Sequence, residues 1–332
     1  MSITAKDIAK KLNISAASVS MALNNKPGVS DELRAKIFDT ANEMGFQYSK
    51  KMLRKNHKMI GVIFIHKNFI FDSAFFSELG NSIEYRLKEY GYRLNAYHIH
   101  EHSDISLELQ QILKDDPDGL ILFGTLMTDS EIRYFNQLTL PVLLLDAYFP
   151  SFTGDSVVIN NVDGARAATE YLIDHCKGCP GYIRSSSIFP NLRERSDGFY
   201  KAIRDAGYHS SQAIVHEVIA STENSYADMI EIIDRKEPLA SCYFCDNDEI
   251  AIGAIRAFRE RGIKIPEDIS IIGFDNMSYS SYVTPPLTSV NVPKAYMGKI
   301  AADRLLDTIR SEVHYPIKIA INTDLVIRKS VK

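Results

Sequence analysis

Three short helical segments, each preceded by a serine or threonine, occupy the first forty-five residues of the chain. Thr4, Ser15 and Ser30 each place a side-chain oxygen where the first free N–H groups of a helix need an acceptor. Apolar residues then recur at helical spacing, and Gly45 closes the third segment. Only residues 13–15 separate the first two segments, a spacing typical of a helix-turn-helix. The region is therefore predicted to be a three-helix module whose second helix can enter a major groove.

The second segment begins with small side chains, Ala16, Ala17, Ser18 and Ser20, so its backbone can approach a DNA duplex closely. An alanine can contact a thymine methyl, and a serine can bond a base edge or a phosphate. None of them offers the bidentate contact that arginine makes with guanine, so any base preference is weakly encoded. The helical pattern alone also fits a module that binds protein rather than DNA.

The distribution of charge distinguishes these two interpretations. Residues 1–58 contain eleven Lys or Arg against five Asp or Glu, whereas the rest of the chain contains 27 against 37, so a net charge of -4 conceals a basic head on an acidic body. A basic domain suits contact with phosphates, whose affinity falls as salt rises. The charge is concentrated after the third segment, in Lys50, Lys51, Arg54, Lys55 and Lys58, a run that also fits a solvated linker.

This region resembles the headpiece of the lactose-repressor/galactose-repressor (LacI/GalR) family. The resemblance rests on the sequences ITAKDIAK at 3–10, ISAASVS at 14–20, LN at 23–24, VS at 29–30, RAKI at 34–37 and EMGF at 43–46. It implies base reading by Ala16 and Ala17 and phosphate contacts from Ser18 and Ser20, whereas Met21 departs from the arginine usual in the family. The DNA-binding residues expected on this basis are Thr4, Ser15, Ala16, Ala17, Ser18, Ser20, Met21, Asn24, Ser30 and Leu53.

A second departure from the family pattern follows Phe46. Tyr48 stands where proline is usual, and the stretch from Gly45 to Gly61 is a few residues short. Family members fold a hinge helix here and insert a leucine into the central minor groove, which kinks the DNA. Leu53 is the candidate for that role.

Apolar runs alternate with helical patterns after residue 58. The first series has apolar runs at 59–66, 93–99, 119–123 and 142–145, with helical stretches at about 75–92 and from 106. The second begins near Asn161, with helices at 163–175, 196–206, from 225 and at 248–261, and strands near 181–184, 241–244 and 269–273. This alternation predicts an α/β fold of two Rossmann-like lobes with parallel sheets and a ligand cleft at their boundary.

The family resemblance extends through this part of the chain. It rests on FFSEL at 75–79, DGA at 163–165, RSDGF at 195–199, NDEIAIG at 247–253, PEDISIIGFD at 266–275 and PLTSV at 286–290. It implies an effector-binding core similar to periplasmic sugar-binding proteins, in which the chain crosses between lobes three times. The expected domains are a DNA-binding domain at 1–48, a hinge at 49–58 and a core at 59–332, with an N-lobe at 59–159 and 288–318 and a C-lobe at 160–287 and 319–332.

The resemblance also implies a set of effector-binding residues, namely Phe75, Asp146, Arg195, Asn247 and Asp275. Arginine donates a planar fork, aspartate accepts paired hydroxyls, asparagine does both, and an aromatic face covers a sugar ring. Other roles remain open, because Asp275 and Asn247 could cap helices, Arg195 could form an ion pair between lobes, and Phe75 could belong to the core. The resemblance leaves sugars, sugar phosphates and purines open as effectors. An aromatic-rich entrance that adds Phe69, Phe71 and Phe76, together with Arg195 and Asp275, favours a neutral carbohydrate.

The four cysteines fall in two pairs with zinc-like spacing, Cys176 with Cys179 and Cys242 with Cys245. The second pair lies on a predicted strand, where residues three apart face opposite sides, so both sulfurs cannot readily reach one metal. Buried thiols in a reduced compartment are favoured over a zinc site.

His98, His100 and His102 alternate and would share one face of a strand. The strand is predicted to end near Ile99, and no carboxylate or cysteine completes a ligand shell, so no metal is expected here. Phosphate-loop and dinucleotide motifs are absent from the sequence, and no nucleophile has an identifiable base, so neither a cofactor nor an enzyme activity is predicted.

The sequence has no apolar stretch of about eighteen residues and no start of the secretory type, which predicts a cytoplasmic protein without a membrane span. The resemblance implies a ligand-responsive transcription regulator, most simply a repressor. Its homodimer is expected to read a pseudopalindromic operator in double-stranded DNA. The core is not followed by a heptad repeat of apolar residues that could form a coiled coil, which favours a dimer over a tetramer. The alternative is a sugar-binding transport component or a sugar-processing enzyme with a helical head.

Overall fold

The computed structural model describes residues 3–23, 28–46, 58–66 and 74–332. The chain divides into two compact units, Met1–His57 and Lys58–Lys332. Each unit has its own buried apolar cluster.

The first unit contains three helices among its described residues: α1 (Ala5–Leu12), α2 (Ala16–Leu23) and α3 (Asp31–Glu43). The capping predicted from the sequence is confirmed at all three. The Thr4 N–H donates to Asp7 Oδ2 at 2.8 Å. Ser15 Oγ accepts from the Ser18 N–H at 2.9 Å and Ser30 Oγ from the Leu33 N–H at 3.3 Å. These contacts satisfy N–H groups that would otherwise lack partners at the helix starts.

The three helices enclose one small core. Its buried members are Ile8, Ala9, Val19, Ala22, Leu23, Ile37 and Ala41. Asn13, with a φ of 56°, turns the chain between α1 and α2. Arg34 Nη1 donates to the Ala22 carbonyl oxygen at 3.0 Å, which ties α3 to the end of α2. These contacts hold α2 with its first residues at the surface.

The first lobe of the second unit is built on a sheet of parallel strands. The strands are β1 (Met59–His66), β2 (Arg93–His100), β3 (Gly119–Phe123), β4 (Val142–Leu145), β5 (Asp155–Ile159) and β11 (Lys318–Ile321), in the order β11-β5-β4-β3-β1-β2. The helices are α4 (Ala74–Glu89), α5 (Ile105–Lys114), α6 (Asp129–Asn136) and α11 (Lys294–Arg310). Helices α4 and α11 pack on one face of the sheet and α5 and α6 on the other.

The second lobe repeats this arrangement. Its strands are β6 (Gly181–Ser185), β7 (Val215–Val218), β8 (Cys242–Cys245), β9 (Ser270–Asp275), β10 (Thr288–Asn291) and β12 (Asp324–Val326), in the order β12-β10-β9-β8-β6-β7. Its helices are α7 (Asn161–His175), α8 (Pro190–Asp205), α9 (Thr222–Asp234) and α10 (Asp248–Glu260). All pairings are parallel except that of β12 with β10.

Burial on both faces explains why these strands are continuous apolar runs. On β8, Cys242 and Phe244 belong to one apolar cluster, whereas Tyr243 and Cys245 belong to the other. Successive side chains of a strand point to opposite faces, so a strand between two helical layers needs apolar residues at every position. The α/β fold with two parallel-sheet lobes and a helical N-terminal region is confirmed.

The chain crosses between the two sheets after β5, after β10 and after β11. Two crossings differ from the predicted lobe boundaries. Residues 288–291 were assigned to the N-lobe, yet β10 pairs with β9 in the second sheet. Residues 319–321 were assigned to the C-lobe, yet β11 pairs with β5 in the first sheet. Each of these strands has four residues, too few for an alternating pattern to indicate which sheet it joins.

Several elements were not predicted, namely α6, β5, β7, β10, α11, β11 and β12. Helix α8 also begins at Pro190 rather than at Ser196, because the extended Phe189 backbone and a proline in the first turn start it earlier. The earlier start adds Asn191 and Arg195 to the inward face of this helix. The predicted hinge at 49–58, apart from Lys58, lies outside the described residues.

Close packing of α7 against α8 predicts the effect of Gly198→Ala. A methyl group at Gly198 would overlap the Val162 carbonyl oxygen and lie 3.0 Å from Ala165 Cβ, so the two helices would have to separate. We expect the free energy of unfolding to fall by about 2 to 3 kcal/mol. Gly80→Ala on α4 is the matched control, because its added methyl would lie 3.8 Å from Phe64 Cζ. Urea denaturation of both variants tests this, and equal stabilities would contradict it.

Candidate functional site

A cleft opens between the two lobes of the second unit, and its open space, including the part continuous with solvent, is about 780 Å³. Its walls combine aromatic, aliphatic and carboxylate side chains: Phe75, Phe76, Thr125, Leu126, Asp146, Phe189, Asn191, Leu192, Arg195, Ala220, Asn247, Asp248, Glu249, Asp275, Met277 and Tyr279. All five effector-binding residues expected from the sequence are in this set. The structure thus brings together side chains that are 200 residues apart in sequence.

The ends of parallel strands place the polar part of this lining. Asp146 follows β4, Asn247 follows β8 by two residues, and Asp275 ends β9. In open parallel sheets the carboxyl ends of the strands border the ligand crevice. The cavity therefore lies where this topology places binding sites.

Arg195 is the central cation of the cavity and is almost fully buried, with 4% of its surface exposed. Its Nε donates to Asn161 Oδ1 at 3.0 Å, its Nη1 to the Asp246 carbonyl oxygen at 2.5 Å and its Nη2 to Asp275 Oδ1 at 2.9 Å. The guanidinium also stacks on the Phe274 ring at 3.7 Å. The sequence left open an ion pair of Arg195 between the two lobes. Arg195 does form an ion pair, with Asp275, but both residues belong to the second lobe.

Asp146 connects the two lobes. Its Oδ2 accepts from Thr125 Oγ1 at 2.5 Å within the first lobe. Asn191, from the second lobe, donates its Nδ2 to the Asp146 carbonyl oxygen at 2.9 Å and to Oδ1 at 3.1 Å. Burial raises the pKa of Asp146 to about 7, although the bond from Thr125 and the charge of Arg195 oppose that rise. One of the two hydrogen bonds from Asn191 is therefore made to a carboxyl that titrates near neutral pH.

The remaining expected residues have structural roles as well as positions in the wall. Asn247 Oδ1 accepts from the Ile250 N–H at 2.9 Å and caps α10, which is the alternative role considered from the sequence. Phe75 is buried and packs edge-on against Phe76 with ring centroids 5.5 Å apart. The Asp275 carbonyl oxygen accepts from Lys294 Nζ at 2.7 Å. Each side chain is thus held in place before any ligand arrives.

The cavity lining carries more acidic than basic groups. Among the described lining residues, Asp146, Asp248, Glu249 and Asp275 face one cation, Arg195, which Asp275 already pairs. Burial raises the pKa of Asp248 to about 7 and also raises that of Glu249, where Asp275 adds a repulsive charge. Such a lining disfavours anionic ligands.

Sequence reasoning missed Thr125, Asn191 and Tyr279. Thr125 follows β3 by two residues, so its position after a buried strand could have identified it. Asn191 lies in the helical turn that the prediction omitted, and Tyr279 lies in a short 3-10 turn at Ser278–Ser281. Phe69 and Phe71 of the expected aromatic entrance lie outside the described residues.

The expected DNA-binding residues of the first unit differ in their exposure to solvent. Thr4, Ser15, Ala16, Ala17, Ser20 and Ser30 are exposed, and Ser18 and Met21 are half-buried. Asn24 and Leu53 lie outside the described residues. Ala16, Ala17 and Ser20 occupy one face of α2, because residues four apart in a helix are neighbours. That face presents two methyl groups and one hydroxyl.

Several of the hydroxyls already make bonds within the headpiece. Ser15 Oγ and Ser18 Oγ lie 2.8 Å apart, and the Thr4 side chain donates to Asp7 Oδ2 at 2.6 Å. Met21 is close to Gly28, whose hypothetical Cβ would lie 3.4 Å from the Met21 sulfur. Met21 is therefore half-buried beside Gly28.

The cysteine and histidine motifs do not converge on a metal site among the described residues. Cys242 and Cys245 face different apolar clusters, as the strand alternation predicted. Strand β2 extends to His100, one residue beyond the predicted end, and the φ of 75° at His102 breaks the alternation there. His98 stacks on Phe64 with centroids 5.3 Å apart. Within the described part of the chain, no helix is long and apolar enough to cross a membrane.

Two family models match the chain. Residues 4–49 match the model for bacterial regulatory proteins of the lacI family, and residues 156–331 match a periplasmic binding protein-like domain. The HTH-type transcriptional repressor PurR of Pasteurella multocida is 30% identical over 334 residues, covering 99% of this chain and 98% of the relative. PurR of Actinobacillus pleuropneumoniae serotype 3 is 28% identical over 335 residues with the same coverage.

Solved structures share the fold. The transcriptional regulator CelR–cellobiose complex has a TM-score of 0.72 at 23% identity, and 99% of each chain is covered. The lac repressor dimer bound to operator and the anti-inducer ONPF has a TM-score of 0.73 at 21% identity, again with 99% of each chain covered. A LacI family regulator from Enterococcus faecium with bound ribose has a TM-score of 0.71 at 25% identity, covering 82% of this chain and 98% of that one.

The raised pKa of Asp146 predicts a pH-dependent stability that Asp146→Asn removes. The carboxyl titrates near 7 when folded and near its ordinary value, about 4, when unfolded. The folded protein therefore binds the extra proton, and the stability that this contributes is complete below about pH 4 and is lost as the pH rises toward 7. We expect the unfolding free energy of the wild type, relative to the variant, to fall by about 1 to 3 kcal/mol over this range.

Urea denaturation at a series of pH values measures this difference. Asp205→Asn, at an exposed carboxyl near the end of α8, is the matched control. A wild-type advantage over Asp146→Asn that stays constant from pH 4 to 8 would contradict the prediction.

Proposed function

Because this chain belongs to the lacI family of bacterial regulatory proteins, we propose that its helix-turn-helix binds operator DNA and that a small molecule in the interlobe cavity controls this binding. The chain is a transcriptional repressor rather than an enzyme, as its relatives are. The observation that carries the proposal is that one chain contains both features: an exposed helix face of small residues in one unit and a preorganised cleft in the other. We place the protein in the cytoplasm, where operator DNA is available.

DNA binding rests on α2. Ala16, Ala17 and Ser20 form an exposed face without bulky side chains, so the helix backbone can enter a major groove. Contacts of this kind discriminate weakly between bases, so phosphate contacts from the basic head supply much of the affinity. A homodimer that places two such helices on the half-sites of a pseudopalindromic operator doubles the contact surface.

A neutral carbohydrate is the effector that best fits the cavity. The carboxyl groups accept hydrogen bonds from hydroxyls, and Phe75 and Tyr279 offer ring faces for a sugar. The described part of the lining leaves no cation to bind a phosphate, because Asp275 already neutralises Arg195. Cellobiose and ribose are ligands of two structurally similar proteins and serve as first probes.

Control by the ligand requires a different affinity for two arrangements of the lobes. The bonds from Asn191 to Asp146 join the lobes across the cleft, so a ligand that contacts both walls adds to this closure or competes with it. The change in lobe arrangement then alters the spacing of two headpieces in a dimer.

Substitution of Arg195 tests the cleft. We expect Arg195→Ala to lose the rise in Tm that a neutral sugar gives the wild type, because the guanidinium and the Asp275 carboxylate it orients both leave the wall. The wild-type shift corresponds to about 2.7 kcal/mol at a ligand concentration of 100 times Kd. Arg193→Ala, on the exposed side of the same helix, is the matched control.

The ligand screen pairs each neutral mono- or disaccharide with its phosphate ester. Tighter binding of the ester would overturn the assignment of a neutral ligand. An undiminished shift in Arg195→Ala with the true ligand would remove Arg195 from the site. Arg195→Ala also leaves the Asp275 charge without its partner, so its Tm without ligand is the reference for its own shift.

Substitution of α2 tests the DNA interface. We expect Ala17→Glu to weaken binding to a promoter fragment by about tenfold to a hundredfold, because a carboxylate there faces phosphates and base edges. Ala35→Glu makes the same change at an exposed alanine of α3 and is the matched control. Gel-shift titrations at two salt concentrations measure both variants. Equal losses for the two, or a wild type without any preference for sequence, would contradict the assignment of α2 as the reading helix.

A further inference from the structure

Two cysteine side chains meet at the edge of the second lobe opposite the cleft. Cys176 directly follows α7, and Cys242 is the first residue of β8. Their neighbours in the chain are bonded to each other, because Ser241 Oγ donates to the Lys177 carbonyl oxygen at 2.6 Å. Cys242 is fully buried and Cys176 is partly exposed, and both pack in the same apolar cluster. Cys176 is therefore the more accessible residue of the two.

The two thiols interact directly. Cys176 and Cys242 lie in the same apolar cluster, and the neighbouring Cys242 thiol is the largest cause of a lowered pKa at Cys176. The Ser270 hydroxyl and the positive charges of Lys332 and His175 lower that pKa further, against the opposing effect of burial. Cys176 is in turn the largest cause of a raised pKa at Cys242. Cys176 is therefore the more readily ionised thiol of the two.

The other cysteines lack this environment. Cys179 Sγ donates to the Pro180 carbonyl oxygen at 3.7 Å, and burial raises its pKa. Cys245 lies at the other end of β8, faces the opposite apolar cluster and has a pKa that burial raises well above its ordinary value. Among the described residues no cluster of histidine, cysteine and carboxylate side chains could hold a metal, so a metal does not account for the Cys176–Cys242 contact.

Two neighbouring thiols of this kind are suited to oxidation to a disulfide. A thiolate is the reactive form of cysteine, and a second thiol in contact can resolve its first oxidation product to a disulfide. The pair lies at the amino ends of β8 and β9, whereas the effector cavity lies at the carboxyl ends. A bond between these sulfurs would therefore leave the cavity open.

We propose that Cys176 and Cys242 form a hydroperoxide-oxidised dithiol, a modification site separate from both the effector cleft and the DNA-reading helix. The Cys176 thiolate attacks the outer oxygen of a hydroperoxide, the O–O bond breaks, and a sulfenic acid forms. The leaving alkoxide, or hydroxide when the oxidant is hydrogen peroxide, takes a proton from solvent and departs as an alcohol or water. Cys242 then attacks the Cys176 sulfur, the S–O bond breaks, and the hydroxide leaves with the Cys242 proton as water. Two thiols are oxidised by two electrons and one hydroperoxide is reduced.

The test uses the full-length, fully reduced protein treated with hydrogen peroxide. Remaining thiols are alkylated in denaturant and the protein is mapped by mass spectrometry. We expect one intramolecular disulfide, between Cys176 and Cys242, that dithiothreitol reverses, with Cys179 and Cys245 alkylated. In the untreated native protein at pH 7, Cys176 should react with an alkylating reagent at least about ten times faster than Cys179, because its larger thiolate fraction outweighs the lower nucleophilicity of a thiolate with a low pKa.

Two variants separate the roles of the sulfurs. Cys242→Ser should stop at a sulfenic acid on Cys176 that dimedone traps, and Cys176→Ser should form neither product, while Cys245→Ser should behave as the wild type. A disulfide between Cys176 and Cys179, or a wild type that keeps four free thiols after peroxide treatment, would overturn the proposal. Because Cys242 is buried and Cys242→Ser could be unstable, the alkylation rate of wild-type Cys176 stands as an independent measurement. Equal rates at Cys176 and Cys179 would also overturn it.

Discussion

A buried guanidinium organises the second lobe. Removing an arginine from water costs several kcal/mol unless opposite charge and hydrogen-bond acceptors replace the solvent. Arg195 meets that requirement through acceptors at the start of α7, after β8 and at the end of β9, together with the Phe274 ring. Each acceptor belongs to a different element, so the carboxyl edge of this sheet is fixed around one side chain. The shape of the cleft wall follows from that arrangement.

The first lobe meets this wall through a second buried charge. Asp146, with a φ of 60°, presents both its carbonyl and its carboxyl to Asn191, which precedes Arg195 on α8 by one helical turn. One helix of the second lobe thus carries both the cation that orders its own strands and the amide that reaches the other lobe. A ligand that moves α8 affects both interactions together.

The sequence predicted the two-lobe α/β fold and the three-helix head because those features rest on local signals. Helix caps such as Thr4 and Ser30 act within one turn, and strands buried on both faces, such as β3, appear as unbroken apolar runs. It did not predict the sheet membership of β10 and β11, because strands of four residues carry no register of their own. The effector residues came from family resemblance rather than from physical pattern. Asn191 was missed because it only reaches the cleft through an extra turn of helix that begins at Pro190.

The three crossings between the sheets have a consequence for the order in which the molecule is completed. The first sheet is incomplete until residues 318–321 pair with β5, and the second is incomplete until residues 324–326 pair with β10. A ribosome releases the DNA-reading head early, but both lobes must wait for strands encoded near the end of the message. Neither sheet can therefore be completed much before the other during synthesis. A chain that stops short of residue 318 leaves β5 and β10 each without the neighbouring strand that covers its edge.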